Sequence, residues 1–242
     1  MMGLPDAIKA LLFDLDGVLT GTAELHRQAW KRTFDDFLAD RDGPDHRPFT
    51  DRDYLDYVDG RPRADGVRTF LEARGIHLPE GGSDDPPGGG TINAVGNRKN
   101  ELLLSIIENE GVRPYPGSRR YIEAAREAGY KIGVVTSSAN GEAVLEAADL
   151  SQFVEARIDG LTITSQGLRG KPAPDSFLAG AKALGVAPAA AAVFEDALSG
   201  VRAGRAGNFG YVIGVDRSNQ ADALREHGAD VVVEDLAELL EK

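Results

Sequence analysis

The sequence of 242 residues contains no cysteine, which excludes disulfide bonds, thiolate metal sites and cysteine nucleophiles. It also lacks any apolar run near the roughly 20 residues that span a bilayer, and its first residues lack the basic-then-apolar order of a signal peptide. We therefore expect a cytoplasmic protein without a membrane partner. Carboxylates, hydroxyls, lysines and four histidines are left to perform any chemistry.

Basic residues are also scarce relative to acidic ones. The 27 Lys and Arg residues face 39 Asp and Glu residues, which gives a formal net charge of -12. This charge argues against nucleic acid or an anionic membrane as a partner. It would also repel a phosphate ester, so such a substrate needs a local basic cluster. With 42% hydrophobic and 27% charged residues, the chain is able to bury one large core or two modest ones.

Apolar, β-branched segments alternate with helical patterns over much of the chain, which predicts a parallel sheet covered on both faces. The predicted fold class is therefore α/β, with a doubly wound parallel sheet of the Rossmann-like kind. The predicted strands are Ile8 to Phe13, Lys131 to Val135, Ala191 to Phe194, Tyr211 to Val215 and Val231 to Val233. The predicted helices between them are Arg119 to Ala128, Gly141 to Ala148, Asp175 to Leu184, Leu198 to Ala206 and Gln220 to His227.

The alternation stops after the first strand, which predicts an inserted helical cap domain. We assign residues 21–112 to the cap, and residues 1–20 and 113–242 to the core domain. Three amphipathic runs, at residues 23–39, 66–74 and 99–110, supply the cap helices. The Gly- and Pro-rich residues 80–90 are predicted to form a mobile surface loop.

Two carboxylates and a glycine stand at the end of the first predicted strand. Asp14 and Asp16 are two residues apart, so in an extended strand their side chains leave on the same face. Unit charges 4 Å apart repel by roughly 4 kcal/mol at an effective dielectric of 20, so the pair needs a divalent cation or one protonated acid. The pattern is not an EF-hand, because Leu25 stands at the twelfth position counted from Asp14. We infer phosphoryl transfer through an aspartate.

Three further motifs carry suitable chemistry. The hydroxyls of Thr136 to Ser138 follow the second strand, where they can hold a phosphoryl oxygen, although such residues are also common helix N-caps. Lys171 is followed by two prolines that fix where its ammonium points. Glu195 and Asp196 end another apolar strand. Asp14 and Asp196 together form a hard oxygen site that suits Mg2+.

These motifs, in this order, resemble those of the haloacid dehalogenase superfamily of phosphatases and phosphomutases. The resemblance covers essentially the whole chain and implies a phosphoryl group carried on Asp14, with Asp16 as general acid and base. Dehalogenating members lack the second acid, and an alcohol leaving group needs a proton where a halide does not. The resemblance further implies phosphate binding by Thr136 and Lys171, and Mg2+ binding by Asp14, Asp16, Glu195 and Asp196.

Within that superfamily, the cap resembles the β-phosphoglucomutase family. The motifs that carry this resemblance are Thr22 to Trp30, Gly60 to Arg63 and Asn97 to Asn100. It implies a sugar phosphate as the small-molecule substrate and a planar guanidinium at Arg63 that clamps the distal phosphate. The substrate-binding residues predicted in this way are His26, Arg63, Lys99, Asn100, Ser137 and Asn140.

From the residues alone, the cap side chains have simpler readings as well. His26 lies four residues before Trp30, as a packed helix histidine does, and Arg63 fits a solvent-facing charge. Lys99 is predicted to begin a helix, where a cation is mildly unfavourable against the helix dipole, and that placement favours a functional role.

Three functions follow from the sequence. The first is a monomeric, Mg2+-dependent phosphomutase that interconverts β-glucose 1-phosphate and glucose 6-phosphate. The second is a sugar-phosphate phosphatase with the same catalytic residues, in which water discharges the aspartyl group. The third is a binding protein without activity on the same scaffold, and the intact acids at both strand ends argue against it.

Overall fold

Six short apolar strands form one sheet in the computed structural model, which describes residues 2–240. The strands are β1 (Ala10–Phe13), β2 (Lys131–Val135), β3 (Ala156–Ile158), β4 (Ala191–Glu195), β5 (Tyr211–Val215) and β6 (Val231–Val233). Their order is β3-β2-β1-β4-β5-β6, and all neighbouring strands are parallel. This arrangement confirms the predicted doubly wound parallel sheet.

The first strand lies at the centre of the sheet because it is buried on both faces. All four of its residues have no exposed surface. Phe13 is in register with Val134 of β2 on one side and Phe194 of β4 on the other. The carboxyl ends of β1, β2 and β4 therefore meet at one edge, where the strand order reverses and where open α/β sheets bind ligands.

One strand was missed by sequence patterning. The edge strand β3 has only three residues and contains Arg157, so it offers no apolar run to detect. It forms a strand because it pairs with β2, with Ile158 opposite Val135.

The helices divide between two compact units, which separate after Thr22 and after Gly111. That each unit is an independently folding domain, with the predicted boundaries, stays a prediction. No helix within residues 2–240 has both the length and the apolar character needed to cross a membrane. The helices are α1 (Thr22–Asp42), α2 (Asp51–Asp53, continued by a π-helical turn at Tyr54–Val58), α3 (Arg63–Ala73), α4 (Ile92–Glu110), α5 (Pro116–Glu127), α6 (Gly141–Ala147), α7 (Gly160–Ser165), α8 (Asp175–Ala183), α9 (Leu198–Ala206) and α10 (Ala221–Glu226). Short 3-10 turns cover Ser151–Phe153, Pro188–Ala190 and Leu236–Leu239.

An aromatic cluster holds the cap unit together. Phe34 lies at its centre, with ring centroids 5.1 Å from Trp30, 5.0 Å from Phe49 and 4.2 Å from Phe70. The apolar face of the first cap helix is buried along its length. Phe37 and Leu38 are buried together with Trp30 and Phe34. Aromatic burial on this scale supplies the unit with a core of its own.

The helix that carries Lys99 begins earlier than predicted. Thr91 is its N-cap, with a side-chain oxygen that accepts a hydrogen bond from Ala94 N at 3.0 Å. Lys99 therefore lies in the interior of α4, and the argument from the helix dipole is wrong. The first two turns are rich in Asn and Gly, which hide an apolar face marked by the buried Ile92 and Val95.

The Gly- and Pro-rich loop before α4 is tied to that helix. Asn93 Nδ2 donates to Glu80 O at 3.0 Å, and Asn97 Nδ2 donates to Asp85 O at 2.8 Å. The two asparagines are four residues apart, so they lie on the same face of α4. Specific hydrogen bonds therefore hold the loop against the helix.

Candidate active site

Asp14 and Asp16 lie at the carboxyl end of β1 in different environments. Asp14 is 6% exposed and continues the strand pairing, since its N–H donates to Phe194 O at 2.9 Å. Asp16 is half-buried, and its Oδ2 accepts a hydrogen bond from Thr136 Oγ1 at 3.1 Å. One acid is thus held by the sheet and the other by hydroxyl groups.

Thr22 is the second hydroxyl that holds Asp16, and sequence reasoning did not single it out. Its Oγ1 donates to Asp16 Oδ1 and lies 2.7 Å from Thr20 Oγ1. Thr20 in turn donates to Leu15 O at 3.2 Å. The available signal was local, since hydroxyl residues four and six positions after an acid in a tight loop are able to turn back to it.

Lys171 is the cation of the site and is buried to 2% exposure. Its Nζ donates to Asp14 Oδ1 at 2.6 Å, to Glu195 Oε1 at 2.5 Å and to Val135 O at 3.1 Å. Burial would lower the pKa of Lys171, but the two adjacent carboxylates raise it instead, so that the lysine stays charged. Burial raises the pKa of the Asp14 carboxyl, and the Lys171 ammonium opposes that shift.

Two glycines make room for the acids of β4. A side chain at Gly17 would collide with the Asp196 carboxylate, and a side chain at Gly200 would collide with Glu195. Gly17 also has a positive φ of 95°, which glycine adopts at little cost. Glu195 Oε2 accepts the N–H of Ala197 at 3.0 Å, which fixes that carboxylate at the strand end.

The three acids form a cluster that is able to hold a metal ion. One oxygen from each of Asp14, Glu195 and Asp196 lies within 4.8 Å of the other two. Lys171 pairs with Asp14 and with Glu195, so the cluster joins three carboxylates and one ammonium. Hard carboxylate oxygens gathered in this way fit a small divalent cation such as Mg2+.

The loop after β2 brings hydroxyl and amide groups to the same edge of the sheet. Thr136 N donates to Ile158 O at 2.9 Å, and Thr136 Oγ1 accepts from Ser138 N at 3.0 Å while it contacts Asp16. Ser137 and Asn140 lie half-buried in this loop, just before α6. The predicted residues of the core unit therefore converge on one edge.

In the cap unit, His26 and Lys99 meet although they are 73 residues apart. His26 Nδ1 lies 2.9 Å from Lys99 Nζ, and that ammonium lies 5.0 Å from the ring centroid of Trp30. Lys99 is 3% exposed, and Asn100 follows it half-buried on α4. Lys99 therefore combines a polar contact with His26 and a cation–π interaction with Trp30.

Arg63 begins α3 and packs its stem against α4. A Cβ atom on Gly96 would lie 3.1 Å from Arg63 Cγ, so the glycine leaves just enough space for the arginine. Burial lowers the pKa of Arg63, and no ion pair among residues 2–240 involves it. Its guanidinium therefore remains available to an anion.

Comparison with known proteins decides the family. A model of haloacid dehalogenase-like hydrolases matches residues 8–208. The chain belongs to the haloacid dehalogenase-like hydrolase family. The β-phosphoglucomutase of Mycobacterium tuberculosis is 54% identical over 99% of this chain and 94% of that protein. A phosphorylated carbohydrates phosphatase of Thermotoga maritima is 28% identical over 93% of this chain and 94% of that protein.

A solved structure agrees with this family assignment. The crystal structure of β-phosphoglucomutase from Clostridium difficile has a TM-score of 0.77 and 26% identity, and the match covers 96% of this chain and 93% of that chain. The predicted membership of the haloacid dehalogenase superfamily and the prediction of an enzyme, phosphomutase or phosphatase, are confirmed.

Proposed function

We propose that the enzyme is a Mg2+-dependent phosphomutase that interconverts β-glucose 1-phosphate and glucose 6-phosphate through an aspartyl phosphate. The observation that carries the proposal is the 54% identity, along the whole chain, to a protein named β-phosphoglucomutase. The acids, hydroxyls and lysine gathered at the carboxyl end of β1 supply the groups that this reaction needs.

Asp14 is the proposed nucleophile. Phosphorylated Asp14 first gives its phosphoryl group to the 6-hydroxyl of β-glucose 1-phosphate: the bond from phosphorus to the hydroxyl oxygen forms as the bond to Asp14 breaks, and the hydroxyl proton passes to Asp16. After the resulting bisphosphate turns over in the site, an Asp14 oxygen attacks the phosphorus at the 1-position, the bond from that phosphorus to the sugar oxygen breaks, and Asp16 returns its proton to the departing oxygen of glucose 6-phosphate. The net result moves one phosphoryl group between two sugar oxygens.

The residues around Asp14 stabilise charge as the phosphoryl group moves. The Lys171 ammonium lies 2.6 Å from Asp14, so it is placed to offset charge on the transferring oxygens. Thr136, Ser137 and Asn140 are the proposed hydroxyl and amide partners of those oxygens. Thr136 also contacts Asp16, which joins phosphate binding to the orientation of the proton donor.

Mg2+ is the proposed cofactor, and this chain's acids are suited to hold it. Asp14 and Asp196 would supply carboxylate oxygens, with Glu195 as the supporting acid of the cluster. Asp16 would supply its backbone carbonyl. Bound there, Mg2+ would neutralise negative charge on the substrate phosphate. Glu195 is already tied to Lys171 and Ala197, so its contribution is to fix the position of the other ligands.

In the cap unit, the proposed substrate-binding residues are His26, Arg63, Lys99 and Asn100. Arg63 has no ion partner among residues 2–240 and presents the planar fork that recognises a phosphate. The cations Arg63 and Lys99 answer the repulsion that a net charge of -12 would exert on a sugar bisphosphate.

A sugar-phosphate phosphatase is the second candidate. It is favoured by the likeness, along the whole chain, to the Thermotoga maritima phosphatase. In this reaction, water attacks the aspartyl phosphate and inorganic phosphate is released. The same core residues serve both reactions, so the two candidates differ only in the final acceptor.

Phosphorus NMR separates the two candidates. The enzyme is incubated with β-glucose 1-phosphate, Mg2+ and a trace of glucose 1,6-bisphosphate, and the phosphorus resonances are followed with time. We expect glucose 6-phosphate to appear as β-glucose 1-phosphate disappears. Free phosphate without glucose 6-phosphate would defeat the mutase and support the phosphatase. A parallel sample with EDTA should show neither product.

A further inference from the structure

Arg217 reaches the catalytic loop from a distant part of the chain. It follows β5, yet its Nε donates to Gly17 O at 2.9 Å, and its Nη1 donates to Glu234 O at 2.7 Å. Strand β4 lies between β5 and β1 in the sheet, so this side chain crosses a whole strand to contact the loop after Asp16. The contact joins residues 200 positions apart in sequence.

The same guanidinium covers the segment through which the chain returns from residue 111. Its central carbon lies 3.8 Å from the ring centroid of Tyr115. Tyr115 N donates to Leu19 O at 3.0 Å, and Gly21 N donates to Arg113 O at 3.2 Å. The outgoing and returning segments are therefore paired with each other, and Arg217 contacts both.

The loop that carries Arg217 is itself well braced. Both carboxylate oxygens of Asp216 accept backbone N–H groups of the loop, from Gln220 at 2.9 Å and from Ala221 at 3.1 Å. Gln220 Nε2 then donates to Asp196 O at 3.0 Å. One braced loop thus holds two site loops by their backbone carbonyls.

The carbonyl that Arg217 holds belongs to a glycine, Gly17, next to the proposed proton donor. Gly17 has a positive φ and directly follows Asp16. A glycine has more backbone freedom than any other residue, so an anchor on its carbonyl restricts the loop strongly. Thr22 donates to Asp16 Oδ1, and Thr136 donates to Asp16 Oδ2. Asp16 keeps both hydrogen bonds only while the loop at Gly17 holds its backbone in place.

We propose that Arg217 is a positioning residue for the phosphoryl-transfer step. It holds the Gly17 carbonyl and the Tyr115 ring in place, and thereby keeps the Asp16 carboxyl where it gives its proton to the leaving sugar oxygen. This inference rests on the proposed function, since it takes Asp16 as the proton carrier. In this role Arg217 acts through Gly17 and Tyr115, and the proposal predicts that its loss slows chiefly the step that needs a proton.

The test compares Arg217→Met with a matched control, Arg205→Met. Arg205 also uses its guanidinium to hold a backbone carbonyl, that of Gly228 at 2.7 Å, and it pairs with Asp230 away from the site. The full-length enzyme is assayed with Mg2+, β-glucose 1-phosphate and a trace of glucose 1,6-bisphosphate. We expect Arg217→Met to lower kcat by about ten- to a hundredfold, with KM changed by less than about threefold. Arg205→Met should leave both constants within about twofold.

A second phosphoryl donor separates proton transfer to the leaving group from the other requirements of the reaction. Acetyl phosphate phosphorylates an aspartate with loss of acetate, which leaves without a proton, so a misplaced Asp16 should not slow it. In single-turnover experiments, we expect Arg217→Met to accept the phosphoryl group from acetyl phosphate within about threefold of the wild-type rate. Arg217→Lys keeps a donor and a charge, and should recover part of the lost kcat while it stays below the wild-type value.

Three results would overturn the inference. These are equal losses with both donors, an unchanged kcat in Arg217→Met, and a loss in Arg205→Met as large as that in Arg217→Met. If Arg217→Met does not fold, the decision passes to Arg217→Lys, which must then fall below wild type with the sugar and not with acetyl phosphate. A wild-type enzyme that accepts no phosphoryl group from either donor would instead overturn the proposed function, and this inference with it.

Discussion

The candidate site residues of the two units differ in how their charges are paired. In the core unit, the acids and the lysine of the site hold one another, with Lys171 between Asp14 and Glu195. In the cap unit, Arg63 has no ion partner among residues 2–240, and burial lowers its pKa. The side chains of the core site are thus paired with one another before any substrate binds. In the cap, the Arg63 guanidinium is able to pair with an anionic substrate. Under the proposed function, the chemistry takes place in the first unit and substrate recognition in the second.

Removal of the nucleophile should have the largest effect. Asp14→Asn keeps the size of the side chain but cannot carry a phosphoryl group, so we expect kcat to fall by about 10^4-fold or more. The matched control is Asp222→Asn, which changes a side chain that is 96% exposed on α10. Far-UV circular dichroism and the thermal midpoint check that both variants fold. Substantial turnover by a folded Asp14→Asn enzyme would mean that the core is not where the phosphoryl group is carried.

Loss of the cap guanidinium should impair binding more than chemistry. Arg63→Ala removes charged hydrogen bonds to a phosphate, which are worth about 1.5–3 kcal/mol each, so KM should rise by about ten- to a hundredfold while kcat changes less. Stability should change little, because Arg63 makes no ion pair among the residues described. Initial-rate kinetics and thermal unfolding measure the two quantities. A fall in kcat with an unchanged KM would place Arg63 in the chemical step and erase the contrast between the units.

A buried ion pair of the cap should contribute to stability rather than to activity. Asp53 accepts from Arg74 Nη2 at 2.8 Å, and their side chains are only 7% and 11% exposed. Burial alone would raise the pKa of Asp53, but hydrogen bonds from Thr50 and the Arg74 charge lower it. Asp53→Asn should therefore destabilise the cap by about 1–3 kcal/mol at neutral pH.

The pH dependence of that loss has a definite sign. Since the pKa of Asp53 is lower in the folded state, its contribution is complete above the unfolded value of about 3.9 and disappears as pH falls through the folded value. Trp30, the one tryptophan of the sequence, lies in the cap and reports its unfolding in urea by fluorescence. The exposed pair of Arg52 and Asp56 is the control, and Asp56→Asn should change the stability of the cap much less than Asp53→Asn does. A difference between wild type and Asp53→Asn that does not shrink as the pH falls below about 3.9 would contradict the assignment.

The smallest effect should come from crowding Arg63. A methyl group at Gly96 would press on the Arg63 stem at 3.1 Å, so Gly96→Ala should lower kcat/KM by about three- to tenfold, mainly through KM. Gly90→Ala adds the same methyl group in the same unit, where nothing lies within 4 Å. Equal kinetics for the two variants would show that the position of Arg63 does not matter.

The sequence predicted the core of the site better than its support. Asp14, Asp196 and Thr136 could be found because the ends of apolar strands in a parallel sheet share one edge, so no long-range knowledge was required. Arg217 could not be found in this way, because its contact with Gly17 depends on the strand order. A half-exposed arginine after a strand has no pattern that separates it from an ordinary surface charge.

Local context explains the other differences. The helix start at Lys99 was wrong because the Thr91 N-cap is followed by Asn and Gly residues, which lack an apolar period. Strand β3 was missed because three residues at a sheet edge are too few to show alternation. Both errors concern short segments whose structure is set by neighbours in space rather than by their own residues.

The claim on which the account depends is that Asp14 carries the phosphoryl group. The most direct measurement is mass spectrometry of the protein after acid quench within the first turnover of β-glucose 1-phosphate, with Mg2+ and with glucose 1,6-bisphosphate as the phosphoryl donor, followed by peptide mapping. The account predicts one added phosphoryl group on Asp14 in the wild-type enzyme and none in Asp14→Asn. A phosphoryl group on a different residue, or turnover with no phosphorylated protein at any quench time, would contradict it.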